Sequence, residues 1–194
     1  MFSGIVEKIG LIGEIRDTPH QRIVSIGTPA GWKFTEGESV AVEGVCSTVQ
    51  QRAARSFQVV YMHETLRRTT LASLRRGSRV NLERSLRLNG LVSGHLVQGH
   101  VDTTGKIQRI RKEGEARIYQ FDLPASYLRY IVEKGSIAID GISLTVTATT
   151  ARGCSVSVLA YTLAHTTLGG KKAGERVNIE VDLVAKYVEK LSSR

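Results

Sequence analysis

Residues 39–49 read SVAVEGVCSTV and residues 136–146 read SIAIDGISLTV. Five of the eleven positions are identical: Ser39/Ser136, Ala41/Ala138, Gly44/Gly141, Thr48/Thr145 and Val49/Val146. Five more are close exchanges, among them Glu43/Asp140 and Cys46/Ser143, and only Ser47/Leu144 departs in kind. The offset of 97 residues carries forward, where TLRRTTLASLRRGSRVNLE (65–83) falls on TLAHTTLGGKKAGERVNIE (162–180) with 10 of 19 positions identical. Toward the front, SGIVEKIG (3–10) matches QGHVDTTG (98–105) at an offset of 95. Three ordered echoes make the chain two copies of one module of about 95 residues, followed by a short tail. A period this long marks a duplicated domain, since solenoid units run about 20–50 residues.

Within each copy the apolar residues alternate. Val40, Val42 and Val45 stand among small or polar neighbours, ARIYQFDL (116–123) and CSVSVLAY (154–161) alternate likewise, and RVNLE and RVNIE follow Gly77 and Gly174. These are half-buried strand patterns separated by glycine turns. Six or so short strands per copy predict an all-β protein of two tandem small barrels, which leave no open strand edge. Helical signals are few. SYLRYIVEKG (126–135) puts Leu128, Ile131 and Val132 on one face and ends at Gly135. DLVAKYVEKL (182–191) has Asp182 as N-cap and a stripe of Leu183, Val184, Tyr187, Val188 and Leu191. That stripe must be covered either by its own barrel or by another copy. The expected units are therefore 1–95, 96–182 and a terminal helix within 183–194.

Composition narrows the functional classes. The 194 residues are 41% hydrophobic, ordinary for a soluble globular chain, and no run approaches the ~18 apolar residues of a membrane span. MFSGIVEKIG lacks the basic-then-apolar layout of a signal peptide, so the cytoplasm is expected. Cys46 and Cys154 lie in different copies and neither is in a CxxC, so both are expected as free thiols. The net charge of +9 invites a nucleic-acid partner. Against that, no aromatic residue lies in 62–117, where much of the charge sits, so nothing there stacks bases. A solvated basic surface is the expectation. His95 and His100 are five apart, on opposite faces of a strand, and do not make a zinc pair.

Taken together, MFSGIVEKIG, VEGVC-TV, ETLRRTTL, VNLERSLR, GHLVQGHVD, DGISLTV and TTLGGKKAGERVNIE resemble the riboflavin synthase family, from Met1 to about Lys190. The resemblance implies two Greek-key β-barrels and a C-terminal helix that assembles a homotrimer. It implies dismutation of two molecules of 6,7-dimethyl-8-ribityllumazine, giving riboflavin and 5-amino-6-ribitylaminouracil with no metal or cofactor. Each site would lie between the N-terminal barrel of one subunit and the C-terminal barrel of its neighbour. A non-catalytic lumazine- or flavin-binding paralogue is the alternative.

Two identical reactants suit two similar pockets, and their unequal roles require the pockets to differ. The repeats differ at Cys46/Ser143, Ser47/Leu144, Ile5/His100 and Phe2/Val97. Cys46 reads as a small buried hydrophobe or as a thiol near the reacting carbon. His100 is the base suited to removing a proton from the 7-methyl group, with His95 as runner-up. Ser39 and Asp140 resemble family positions tied to activity, and Asp140 is expected to hold Lys134 or a hydroxyl. A flat uncharged ring wants backbone edges and short hydroxyls. Gly4, Ile5 and Val6, Cys46, Ser47 and Thr48, Gly99, His100 and Val101, and Ser143, Leu144 and Thr145 would supply them. The stretches Val60, Tyr61, Met62, His63, Glu64 and Thr65, and Leu159, Ala160, Tyr161, Thr162, Leu163 and Ala164, would complete the two pockets. Glu64, Thr65, Thr162 and Lys134 would take the ribityl hydroxyls, and Phe2 would pack nearby. The sequence departs from the family pattern at Ser47, where leucine is common, at His63 and Ala160, where proline is frequent, at Tyr161, and at Ser93-Gly94-His95.

Overall fold

The structure is a computed structural model that describes residues 1–192. Twelve antiparallel strands close into two barrels with the same path. The first is built from β1 (Lys8–Asp17), β2 (Gln21–Gly27), β3 (Ser39–Val42), β4 (Val45–Arg52), β5 (Ser56–Met62) and β6 (Arg79–Arg84), in the order β1-β2-β5-β4-β3-β6. Helix α1 (His63–Arg68) lies between β5 and β6. The second uses β7 (Thr103–Glu113), β8 (Ala116–Asp122), β9 (Ser136–Ile139), β10 (Ile142–Thr150), β11 (Gly153–Val158) and β12 (Arg176–Val181), with α2 (Ala160–His165) between β11 and β12. In the first barrel β1–β2, β3–β4 and β4–β5 are hairpins, and the β2–β3 and β5–β6 connections cross over, as in the expected Greek key. Register shifts fall at matching places in the two barrels, after Ile12 and Ile107 and after Val49 and Val146. Such bulges bend a strand and help a six-stranded sheet to close.

Alternation places the core as read. Phe57, Val59 and Tyr61 of β5 point into the first barrel, and Cys154, Val156 and Val158 of β11 into the second. Burial pushes the Cys154 thiol up to about 12, so it serves as an inert apolar group. The Ser47/Leu144 exchange has its explanation here. Ser47 is buried, donates to the Val45 carbonyl at 2.9 Å and meets the Tyr61 hydroxyl at 3.0 Å. The second barrel has Leu144 and Val158 at the corresponding positions. One barrel pairs a small polar residue with a large one, and the other pairs two aliphatic ones.

The strands β6 and β12 break the half-buried expectation. Val80, Asn81, Leu82 and Glu83, and Val177, Asn178, Ile179 and Glu180, are all buried. The apolar residues face their own barrel, and the polar ones face the other barrel. There the β3–β4 turn at Glu43-Gly44 meets the β9–β10 turn at Asp140-Gly141, all four residues having positive φ of 48–78°. Such two-residue turns match the twist of a hairpin. They also touch: a Cβ on Gly44 would lie 2.5 Å from the Gly141 nitrogen. Asn81 Nδ2 donates across to the Asp140 carbonyl at 2.9 Å, and Asn178 Nδ2 donates to the Glu43 carbonyl at 2.8 Å. In return, Thr167 N donates to Asn81 Oδ1 and Thr70 N to Asn178 Oδ1, both at 2.7 Å. The bonds come in pairs related by a pseudo-twofold axis.

One cation breaks that symmetry. Lys171, whose counterpart is Leu74, places Nζ 3.2 Å from Asp140 Oδ2 and 3.9 Å from Glu43 Oε2. Asp140 therefore holds Lys171 and not Lys134, which is exposed in a turn with φ of 64°. Burial, then the nearby Asp140, pushes Glu43 up to about 8, so its carboxyl is protonated at neutral pH while Lys171 serves Asp140.

Two helical expectations part company. Residues 126–135 do not form an α-helix: Ala125–Tyr130 is a 3-10 segment, and Ile131 turns extended and enters the second core. The β9 strand must start five residues later, which leaves no room for a longer helix. The tail is helical as read, with α3 at Leu183–Ser192 and Asp182 Oδ1 accepting from Val184 N at 2.9 Å. Positions 193 and 194 of the expected tail lie outside the described residues. Charged contacts tether α3, Lys186 to Asp102 at 2.8 Å and Arg129 to Glu189 at 3.0 Å. Val184, Tyr187, Val188 and Leu191 remain 59–65% exposed, so its own barrel does not cover the stripe.

Two outcomes test this packing. Ser47→Ala leaves the buried Tyr61 hydroxyl without its partner and should cost about 1–2 kcal/mol in urea unfolding. Adding Tyr61→Phe should cost less than the sum of the single changes, by about 1 kcal/mol; additive losses would show that the two hydroxyls do not interact. The second outcome concerns pH. With Glu43 raised from 4.5 to about 8 on folding, the native state holds this proton more tightly than the unfolded chain. Its stabilising contribution is complete below the unfolded value and is lost as pH rises through about 8. Glu43→Gln should flatten the fall in unfolding free energy between pH 5 and pH 8, and an unchanged slope would refute the assignment.

Candidate active site

The segment that opens each repeat crosses to the other barrel. Phe2 and Val97 exchange backbone bonds of 2.8 and 3.1 Å and form a small core with Ala41 and Ala138, against which Cys46 packs. Phe2 is fully buried there. Two carboxylates then hold the segments. Glu83 accepts from Ser3 N, Ser3 Oγ and Gly4 N at 2.7, 2.8 and 3.1 Å. Glu180 accepts from Gln98 N and Gly99 N at 2.7 and 3.0 Å. Burial raises the pKa of both, and the backbone donors oppose the rise.

The crossing decides which residues share a pocket. The Gly99 carbonyl accepts from Cys46 N at 2.8 Å, and the Gly4 carbonyl accepts from Ser143 N at 2.7 Å. Both glycines have positive φ, and a Cβ on either would lie 2.7 Å from the facing residue's own Cβ. Val101 packs on the first barrel's core and Val6 on the second's. One half-site therefore unites Cys46–Thr48 and the end of β5 with Gly99–Val101. The other unites Ser143–Thr145 and the end of β11 with Gly4–Val6. The sequence supplied both sets of edges without indicating that each set draws its loop from the opposite repeat.

Cys46 and Thr48 share the outward face of β4, while Ser47 between them faces inward. Ser39 pairs with Thr48 in the β3–β4 ladder, so it stands beside this half-site. His100 is exposed next to Gly99, at the same edge. At the second half-site His95 takes the part that no alignment indicated. Its Nδ1 lies 2.7 Å from Ser143 Oγ, its Nε2 is buried with no hydrogen-bond partner among the described residues, and burial lowers its pKa. Burial thus favours the neutral ring. His95 stands outside the three aligned segments, so repeat comparison gave it no counterpart to differ from.

The remaining positions follow the symmetry. Met62 and Leu159 are exposed at the starts of α1 and α2, followed by His63 and Ala160. His63 Nε2 contacts the Pro19 carbonyl at 2.8 Å. Thr65 and Thr162 turn their carbonyls to the hydroxyls of Thr69 and Thr166, both at 2.7 Å. Glu64 pairs with Arg67 and Arg68 at 2.5 Å each, and Arg67 first among them holds its pKa down. Tyr161 is exposed and stacks on His165 at 4.1 Å. Val60 faces out of its barrel, and Leu163 and Ala164 line the groove beyond α2. Asp140 is fully buried at the junction, where it meets Lys171. Lys134 forms no ion pair among the described residues. Ile5, His100, Met62, Leu159 and Tyr161 are open to solvent, so each half-site is an uncovered surface in one chain.

The sequence matches the lumazine binding domain twice, over residues 3–85 and 98–182. It is 42% identical over 190 residues to riboflavin synthase of Actinobacillus pleuropneumoniae, covering 97% of this chain and 88% of that one. It is 45% identical over 196 residues to riboflavin synthase of Mycobacterium tuberculosis (strain ATCC 25618 / H37Rv), covering 98% of each. Among solved structures, LumP complexed with 6,7-dimethyl-8-(1'-D-ribityl) lumazine superposes with a TM-score of 0.85 at 21% identity, covering 93% of this chain and 99% of that one, which shows a shared fold. With two lumazine binding domains in tandem and relatives matched over nearly their whole length, the chain belongs to the riboflavin synthase family.

Proposed function

We propose that this protein is a riboflavin synthase, a transferase that moves a four-carbon unit between two molecules of 6,7-dimethyl-8-ribityllumazine. The products are riboflavin and 5-amino-6-ribitylaminouracil, which together contain the atoms of the two substrates, so no external oxidant or cofactor enters. The observation that carries this reading is the pair of crossed half-sites, alike in backbone and unlike in the reacting side chains. Each offers a strand edge, a glycine loop and short hydroxyls to a flat ring. Aligning two bound reactants supplies up to ~7–11 kcal/mol of a barrier.

In the first half-site Cys46, Thr48 and Ser39 line the ring edge, and His100 removes the 7-methyl proton. In the second, Ser143 with His95 takes the corresponding place. Exposure of His100, Met62 and Leu159 in the single chain supports a site closed by a neighbouring copy, N-terminal half against C-terminal half. The uncovered stripe of α3 supports assembly of copies through that helix, as a homotrimer. Two unpaired cysteines suit the reducing cytoplasm.

His100→Ala should lower kcat by about 10²-fold, the usual scale of a general base, with lumazine affinity nearly unchanged. Loss of affinity with kcat preserved would assign the ring a binding role instead. A mixing experiment tests the shared site. Cys46→Ala and Ser143→Ala chains, each impaired alone, should recover riboflavin fluorescence when mixed and reassembled, because some seams then join two intact halves. No recovery would place both halves in one chain. Deleting residues 184–194 should reduce the sedimentation coefficient and turnover together, and an active monomer would overturn assembly through the helix.

A further inference from the structure

At one end of the pseudo-twofold axis the barrels part and leave a cleft of about 1060 Å3. Its walls are the same stretch of each repeat, 67–79 and 163–176. Five cationic side chains line it: Arg67, Arg75, Arg79, Lys171 and Arg176. Arg79 and Arg176 are repeat counterparts, one on each lip. Among the described residues Arg75, Arg79 and Arg176 form no ion pair, and the Arg176 guanidinium donates to the Thr104 hydroxyl. Opposing charge comes from Glu175, which accepts from Lys172 N at 3.0 Å, and from Asp140, 3.2 Å from Lys171 Nζ, while burial raises the pKa of Glu43. Thr70, Ser73, Ser78 and Thr167 line the same space, and no aromatic residue does.

Arginine forks at two symmetry-related places, with short hydroxyl-bearing residues between them and Lys171 at the floor already serving Asp140, make a donor set suited to phosphate. We propose that this cleft binds a small anion carrying two linked phosphate groups, one held by each lip. Inorganic pyrophosphate is the minimal form, and a nucleoside diphosphate presents the same groups. The cleft shares Leu163 and Ala164 with the candidate substrate wall but is otherwise separate. Arg79 lies four residues along β6 from Glu83, which holds the Gly4 loop. At ~3.3 Å per residue that is roughly 13 Å. The absence of aromatic residues from the lining argues for a compact anion over stacked bases. The inference does not rest on the lumazine reaction.

Titration calorimetry on the full chain without lumazine, at constant ionic strength, tests it with pyrophosphate, ADP and orthophosphate. Saturable binding of pyrophosphate, at least about tenfold tighter than orthophosphate, is expected, and ADP distinguishes a nucleotide from the free anion. Arg79→Gln combined with Arg176→Gln should weaken pyrophosphate by about tenfold or more, the scale of one lost charge-assisted bond. Both side chains are exposed, so the fold and lumazine turnover should be retained. Equal affinity for all three anions, or no effect of the double change, would overturn the proposal. A single-stranded oligonucleotide that binds more tightly than pyrophosphate, with steep salt dependence and loss in the same variant, would overturn it in favour of nucleic acid.

Discussion

Everything in this molecule is arranged around two turns that touch. Gly44 and Gly141 meet backbone to backbone, closer than any side chain allows, and the two barrels can dock only because both residues are glycine. Contact that close removes water from the faces of β6 and β12, and the polar groups there must then be satisfied by the opposite barrel. The crossed asparagines do this. Each returns a side-chain donor to the other barrel's turn and accepts from the other barrel's threonine segment. A strand reading apolar-polar-apolar-polar is thereby buried on both faces, which ordinary alternation does not anticipate.

The same docking builds the site. Because the opening segments pair with each other through Phe2 and Val97, each must lie over the partner barrel, where Glu83 and Glu180 fix its backbone. The half-sites are thus hybrids of the two repeats. Neither barrel alone would have both a ring edge and a glycine loop. Duplication supplies the likeness needed to hold two identical molecules, and a few exchanges supply the difference needed to treat them unequally. Cys46 faces Gly99 on one side; Ser143, paired with His95, faces Gly4 on the other.

Symmetry is also broken at the junction between the barrels. Lys171 answers two carboxylates that lie close to the axis, and its counterpart is an apolar leucine. One ammonium serves two buried carboxyls, both raised in pKa by burial, so the junction is electrostatically lopsided although its backbone is nearly twofold. Asp140, which resembled an active-site residue by position, belongs to this junction.

The sequence alone established the duplication, the all-β class, the number of strands, the tail helix and the positions at which the halves differ. All of these are local or periodic properties, set by side-chain alternation, turn glycines and caps that a short window carries. Residues 126–135 show the limit of that reasoning, because a helical stripe lost to the demand for Ile131 in the core and an early start of β9. Tertiary structure decided which repeat's loop meets which strand, that Asn81 and Asn178 are cross-barrel ties, that His95 reaches Ser143, and that Asp140 takes Lys171. Alternation tells which face of a strand leaves the barrel, but what covers that face depends on how two closed bodies dock, and only three-dimensional contact fixes that.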